Sequence, residues 1–262
     1  MAQRSDLTAQ TFLFAELSGF TALTEAHGDE QAADLVGGFC AAVRQLLAAH
    51  QAQEVKTIGD ALMLRTGDSA AAIRLGLCIV HDVGARHGFP LVRVGMHSGP
   101  AVEREGDWFG ATVNLAARVS AAAGGGEALL TEATKTAAGE VARVKLRERG
   151  RWSFRNVGAP VPVYAAIRQG MRSSSGLPID PVCRMAVDPS HGAGRLTHQG
   201  RAAWSCAAAA ERAQSSGRPR RRAGVMTHTS TRRAAPEPFI LPPPAPGPGS
   251  APRRHAGRSR PG

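Results

Sequence analysis

An α/β chain of the α+β kind, folded as a split βαβ unit with an antiparallel-rich sheet and helices on one face of it, is what the first 168 residues predict. Three observations carry this expectation. Short apolar runs suited to strands alternate with longer stretches in which apolar residues recur every three or four positions. A Gly59-Asp60 pair divides one apolar run in two, as hairpin turns do. Glycines close the helical stretches, at Gly88 and again at Gly124-Gly125-Gly126.

In order, residues 11–17 (TFLFAEL) form a first strand that ends in Ser18-Gly19. Across 29–52, Ala32, Val36, Phe39, Val43 and Leu47 share one buried helical face. Residues 53–58 and 61–65 pair as the hairpin. Residues 69–87 repeat the helical pattern through Ile73, Leu77, Val80 and Val83. Residues 91–97 and 100–104 make a second strand pair, and 109–123 reads as a helix. Strands at 127–131, 152–157 and 161–167 finish the domain. Its basic residues from Arg143 to Arg151 read as an exposed strand face.

Charge divides the chain. The net charge is +11, yet residues 1–170 hold 17 basic and 17 acidic side chains, so all of the excess lies beyond residue 170. The basicity therefore implies no nucleic-acid surface on the main domain. The opening MAQRSDLTAQ is polar and no apolar run reaches the length of a membrane span, so a cytoplasmic protein without a membrane segment is expected. Four widely spaced cysteines, Cys40, Cys78, Cys183 and Cys206, fit free thiols in a reducing compartment. Cys40 and Cys78 fall on apolar helix faces and read as small core residues.

Two acids stand out. Glu16 ends the first strand and Asp60 sits at the hairpin tip, with the cationic Lys56 four residues before it. Carboxylates on the ends of adjacent strands can hold divalent metal between them, and metal with oxygen ligands serves phosphoryl chemistry. The plainer alternative makes Asp60 a turn former and Glu16 a surface acid. His97 reads as structural, and nothing forms a nucleophile, base and orienter triad.

FAELSGFT (14–21), VKTIGDALM (55–63), VRVGMHSGPAV (92–102) and GDWFGATVNLAAR (106–118) resemble, in order and spacing, the successive signature blocks of class III adenylate and guanylate cyclases. The likeness covers residues 10–168. It implies a ferredoxin-like cyclase fold, conversion of a nucleoside triphosphate to the cyclic 3',5'-monophosphate with release of pyrophosphate, and a homodimer whose active sites are shared across the interface. It also implies that Glu16 and Asp60 hold two divalent cations, Mg²⁺ or Mn²⁺. The family has Asp where this chain has Glu16. The extra methylene moves the carboxylate outward in a site where Mg²⁺ demands near-octahedral geometry. A working enzyme with altered metal preference, a slow one, and a catalytically weak or inactive nucleotide-binding dimer with a regulatory role all remain open.

In the family the positions of Lys56 and Asp107 read the purine. Lys56 offers only donors and ionised Asp107 only acceptors, which matches adenine's N1 and N6 amine and points to ATP. Otherwise Lys56 is a solvated strand residue and Asp107 caps the helix near Phe109. Asn114 and Arg118 stand four apart and share a helix face. The resemblance assigns them ribose positioning and charge stabilisation on the phosphates, a task suited to the guanidinium fork; otherwise they are incidental surface residues. Arg155, within the predicted strand 152–157, lies where the family places a basic residue against the triphosphate.

Residues 1–9 form a tail and 169–179 a Ser/Gly-rich linker. Residues 180–214, opening DPVCRM, resemble a YHS domain, a small module that resemblance associates with metal. The second half departs from the pattern, with Ala202-Ala203-Trp204 before Cys206 and Ala210 where another cysteine is usual. It reads as a degenerate, loosely ordered remnant, with Cys183, Cys206, His191 and His198 as its available ligands. Residues 215–262 are rich in Pro, Gly and Arg and read as disordered. Such a tail binds polyanions by charge alone, but no aromatic residue lies among its arginines to stack on bases, which argues against specific nucleic-acid recognition.

Overall fold

A computed structural model of the chain describes residues 9–84, 88–170, 178–187, 189, 194–198 and 201–206. These all belong to a compact unit spanning 1–225. The expectations for the N-terminal tail up to residue 8, for most of the linker, for His191 and for the tail from 215 lie outside the described residues.

The centre is a seven-stranded sheet in the order β2-β3-β1-β4-β7-β9-β8. The interior strand β1, Ala9–Leu17, third in that order, is buried on both faces, which is why TFLFAEL is apolar without alternation. It pairs antiparallel with β3, Ala61–Thr66, and with β4, Val92–Pro100. The hairpin partner β2, Gln53–Ile58, forms one edge of the sheet. Gly59, at φ 59°, takes the left-handed turn conformation that costs glycine least. β7, Ala128–Thr131, runs parallel to β4, so the sheet is mixed rather than wholly antiparallel. Parallel neighbours need a crossover, and α4, Ala111–Ala122, supplies it. β9, Val161–Arg168, and β8, Val144–Trp152, close the far edge. Lys145, Arg147 and Arg151 project from β8 into solvent, as expected of an edge strand that must resist pairing.

Helices cover both faces, not one. A Cβ on Gly95 would lie 1.9 Å from the Ser120 nitrogen of α4. On the other side of β4, Met96 and Val94 meet Gly76 of α3, Ser69–Cys78. Alternation along a strand sends these neighbours to opposite faces. The Ser120 hydroxyl donates to the Phe14 carbonyl at 3.0 Å and pins α4 to the sheet. Phe12, Phe14 and Met63 pack with Val113 and Ala116 beneath that helix.

Several boundaries differ from the sequence expectation. A short helix α1, Phe20–His27, precedes α2, Asp29–Leu47, with Gly28 between them. Together with a 3₁₀ turn, α2 gives a 22-residue stretch long and apolar enough, by length and composition, to cross a membrane. That contradicts the expectation that no run reaches such length. The stretch nevertheless buries Phe39, Cys40 and Val43 in the core and carries Arg44 bonded to Glu54 at 2.7 Å, which suits a packed amphipathic helix. The helix beginning at Ser69 ends at Gly84 after a π segment, Ile79–Val83, rather than at Gly88. A further helix, α5, Glu132–Ala138, was not foreseen.

Residues 102–104 do not pair with β4. They form β5, Val102–Arg104, a separate hairpin with β6, Asp107–Phe109. The turn uses two left-handed residues, Glu105 (φ 51°) and Gly106 (φ 80°), as a tight hairpin requires. Of the strand expected at 152–157 only Trp152 is in a strand, at the end of β8; Phe154–Val157 is a turn, closed by the Val157 amide on the Phe154 carbonyl at 3.1 Å, with Asn156 left-handed. Beyond the linker, the chain from Pro178 to Val187 packs on α1 and α2. There Cys183 and Met185 join Leu23, Ala26 and Ala32, and Ala186 bonds Phe89. The hairpin β10, Gly194–His198, and β11, Arg201–Ser205, follows. Within this described part Asp180 is fully buried.

Candidate active site

Glu16 is the half-buried, next-to-last residue of β1, where pairing sets it opposite Ala61 on β3 and Arg93 on β4. Asp60, next to Ala61 in the hairpin turn, is thereby drawn alongside. Its carboxyl is held above the usual carboxylate range, chiefly by burial and then by the negative charge of Glu16. The two predicted acids do share one neighbourhood. Their hard oxygen donors and mutual repulsion fit a divalent cation, which would relieve both.

The neighbourhood contains a cation that sequence reasoning passed over. One Arg93 terminal nitrogen donates to Glu16 Oε2 at 2.8 Å and the other to the Ala121 carbonyl at 3.2 Å, while Nε is buried with no partner among the described residues. Arg93 lies in a signature block, but only the β1–β4 register reveals what it faces. An arginine between two acids, with a donor unspent, is equipped to meet a further anion.

A second pair lies toward the sheet edge. Lys56 Nζ donates to Asp107 Oδ2 at 2.5 Å, and Asp107 Oδ1 accepts the Trp108 amide at 2.8 Å. The Lys56 hydrogen bond is the main reason the Asp107 carboxyl sits below the usual range. Asp107 does not cap α4, whose N-cap is Gly110 without a side-chain cap. The strand order puts β3 between β2 and β1. Lys56 is therefore roughly 10 Å across the sheet from the β1 strand line at two strand spacings.

Asn114 and Arg118 stand one turn apart on α4. Their neighbours Val113 and Ala116 face the Phe12 and Phe14 core, while Leu115 and Val119 face the core under β7 and β9. That leaves Asn114 exposed and Arg118 half-buried on the outward side. Neither makes a side-chain hydrogen bond or ion pair among the described residues, and no such bond joins them to Glu16, Asp60, Lys56 or Asp107. Arg155 is exposed in the 154–157 turn rather than on a strand. His97 is structural as expected: its Nδ1 meets the Thr131 hydroxyl at 2.7 Å, and burial pushes its pKa down to about 4.

A family model for the adenylate and guanylate cyclase catalytic domain matches residues 3–164. The chain belongs to that family. Among curated relatives, it is 36% identical over 172 residues to a pH-sensitive adenylate cyclase of Mycobacterium tuberculosis, covering 63% of this chain and 42% of that protein. It is 37% identical over 110 residues to an adenylate cyclase of Streptomyces coelicolor, covering 42% of this chain and 29% of the relative. The chain thus spans less than half the length of these relatives. Adenylate cyclases of Trypanosoma brucei, in their monomeric state, share its fold with a TM-score of 0.57 at 23% identity, covering 63% of this chain and 92% of theirs. The adenylyl cyclase CyaB of P. aeruginosa does so at 0.54 and 20%, covering 63% and 96%. In this cyclase domain, then, the mixed sheet holds Glu16 and Asp60 at one end, and Lys56 on its edge strand meets Asp107 of the β5–β6 hairpin.

Proposed function

We propose that this cyclase converts ATP to 3',5'-cyclic AMP and pyrophosphate by attack of the ribose 3'-oxygen on the α-phosphorus, serving intracellular signalling. The observation that carries this reading is the convergence of Glu16 and Asp60, set by the pairing of Glu16 with Ala61, the residue after Asp60. These two would hold a pair of divalent cations, Mg²⁺ or Mn²⁺, which when bound favour the 3'-alkoxide and neutralise the triphosphate. The spare Nε of Arg93 would bond a phosphate oxygen. Lys56 and Asp107, already side by side, present a donor to adenine N1 and an acceptor to its N6 amine. Arg155 would reach the triphosphate from its turn.

The outward position of Asn114 and Arg118 supports a homodimer with composite sites, in which one subunit gives Glu16 and Asp60 and the other gives the base-reading pair with Asn114 and Arg118. Asn114 would orient the ribose and Arg118 would take up charge on the phosphates. Ile58 and Phe109, 49% and 51% exposed near Lys56, offer apolar surface for such an interface. An ATP substrate and the free thiols of Cys40, Cys78 and Cys183 support a cytoplasmic location. The chain from Asp180 would be a YHS-like appendage.

The test is to incubate the full chain with ATP or GTP and Mg²⁺ or Mn²⁺. Cyclic AMP should form, and Asp60→Asn should lower its rate by about 10²-fold or more. No cyclic product with either ion would overturn the reading. A second reading, a weak or silent nucleotide-binding dimer with a regulatory role, is favoured by the Glu16–Arg93 ion pair, which occupies a carboxylate the cations need. ATP binding without turnover, with turnover restored by Glu16→Asp, would select it.

A further inference from the structure

Three metal-ligating side chains meet where two cysteines of the YHS-like segment approach a histidine of the cyclase domain that no motif connects to them. His27 comes from the last turn of α1 in the cyclase domain, Cys183 from the turn after Asp180, and Cys206 from the end of β11. The two sulfurs are 3.4 Å apart, Cys206 Sγ is 3.5 Å from His27 Nε2, and all three ligand atoms lie within 4.8 Å of one another. We propose that His27, Cys183 and Cys206 form a binding site for a borderline divalent cation of the zinc type, fastening the segment 178–206 to the cyclase domain.

Distances support the choice of ion. With Zn–S near 2.3 Å and Zn–N near 2.0–2.1 Å, a tetrahedral centre separates two sulfurs by about 3.8 Å and sulfur from nitrogen by about 3.6 Å. The Cys183–Cys206 and Cys206–His27 separations lie within about 0.4 Å of these values, and Cys183 and His27 place their ligand atoms no more than 4.8 Å apart. Thiolate and imidazole donors favour zinc-like ions over the hard cations suited to Glu16 and Asp60. On binding, each thiol releases its proton to solvent, so two Zn–S bonds replace two S–H bonds.

The surroundings hold the ligands in place. Asp180 is fully buried, and its Oδ1 accepts the amides of Val182 (2.7 Å) and Cys183 (3.3 Å). Its Oδ2 accepts the Cys206 amide (2.8 Å) and the Ser205 hydroxyl (2.9 Å). One carboxylate thus fixes both cysteine backbones, the kind of support metal ligands need. Cys183 is fully buried. His27 Nδ1 is buried without a hydrogen-bond partner among the described residues, while Nε2 faces Cys206. His191 and the His198 side chain lie outside the described residues.

The cation would join the two ends of one contact. Arg184, left-handed at φ 64°, lays its side chain over Gly19, where a Cβ would come 2.8 Å from Arg184 Cγ. Gly19 begins α1 and His27 ends it. A metal on His27 and Cys183 therefore clamps the segment along the whole helix that follows Glu16. This inference does not depend on cyclase activity.

Titrating the reduced, metal-stripped full chain with Co²⁺ alone tests it. One Co²⁺ per chain should give a near-ultraviolet thiolate-to-cobalt charge-transfer band, which oxygen-only binding at Glu16 and Asp60 cannot produce, and Zn²⁺ should abolish that band by displacement. Cys206→Ser should remove the band. His27→Gln should weaken Co²⁺ binding at least tenfold and change the visible ligand-field spectrum. Because buried Cys183 variants risk misfolding, the half-buried His27 variant decides, with an unchanged far-ultraviolet circular dichroism spectrum as the control. Absence of the band in the wild type would overturn the proposal, as would a His27→Gln chain that binds Co²⁺ unchanged.

Discussion

Replacing Gly95 with alanine drives a methyl group into the backbone of α4. The added Cβ would lie 1.9 Å from Ser120 N, 2.4 Å from Ser120 Cα and 2.5 Å from the Val119 carbonyl carbon. Ordinary contact begins at 3.4 Å, and helix backbone cannot rotate away as a side chain does. The helix must therefore retreat by about 1.5 Å, more than the 0.5–1 Å gap that already forfeits a quarter to a half of a dispersion contact. Ala116 and Val119, both fully buried, would lose packing against the sheet. Overpacking typically costs 1–3 kcal/mol, and a backbone obstacle puts this case at about 3 kcal/mol or above. Asn114 and Arg118 ride on the same helix, so a displacement beyond 1 Å should also lower cyclase turnover by about 10²-fold. Urea unfolding followed by circular dichroism measures the first effect and cyclic AMP formation the second. Gly37→Ala is the control: it lies within α2 with open space around its Cβ, and should stabilise by about 0.5–1 kcal/mol. A Gly95→Ala protein within about 1 kcal/mol of the wild type would refute the packing argument.

Lys56→Glu sets a carboxylate against Asp107 and removes the donor to adenine, so kcat/KM for ATP should fall by about 10–100-fold, with the dimer by sedimentation unchanged. An unaltered ATP preference over GTP would remove the base-reading role. Burial depresses the pKa of His97 from 6.5 to about 4, so the folded state disfavours its cation. Stability is then full above pH 6.5 and declines as pH falls toward 4, by up to about 3 kcal/mol at 1.36 kcal/mol per unit. His97→Gln should flatten that limb of the pH–stability curve, and a wild-type curve level across this window would contradict the assignment. Asp68 accepts the Ala70 and Ala71 amides at 2.8 and 3.0 Å at the start of α3. Asp68→Ala should cost about 1 kcal/mol in thermal unfolding, and no loss would show that the cap contributes nothing.

How far the sequence could be read depended on where each residue's partner lay. The hairpin at Gly59-Asp60 and the helix through Phe39 and Val43 are written in neighbouring residues, and both form nearly where expected. The Phe154–Val157 turn misled because Trp152, Phe154 and Val157 look like a strand, while the apolar side chains in fact tuck into the core around α4 from a reversing backbone. α1 escaped notice because eight residues between two glycines carry too little periodicity. Glu16 and Asp60 were found through signature blocks, yet nothing in those blocks told that Arg93 would bond Glu16, because that contact exists only once β1 and β4 are in register.

The same reasoning separates the two candidate cation sites. At Glu16 and Asp60 the ligands come from strands that the sheet must align in order to fold at all, so their convergence is a by-product of core pairing and was legible in outline. At His27, Cys183 and Cys206 the ligands are 179 positions apart at the extreme, and they meet only because Cys183 and Met185 fill an apolar gap beside Leu23 and Ala26. Loop-closure entropy grows slowly with length, so a buried apolar contact can hold such distant segments together. A cation bridging them would add to that contact, which makes chelator-sensitive protection of the 178–206 segment from proteolysis a measure of how much the fastening contributes.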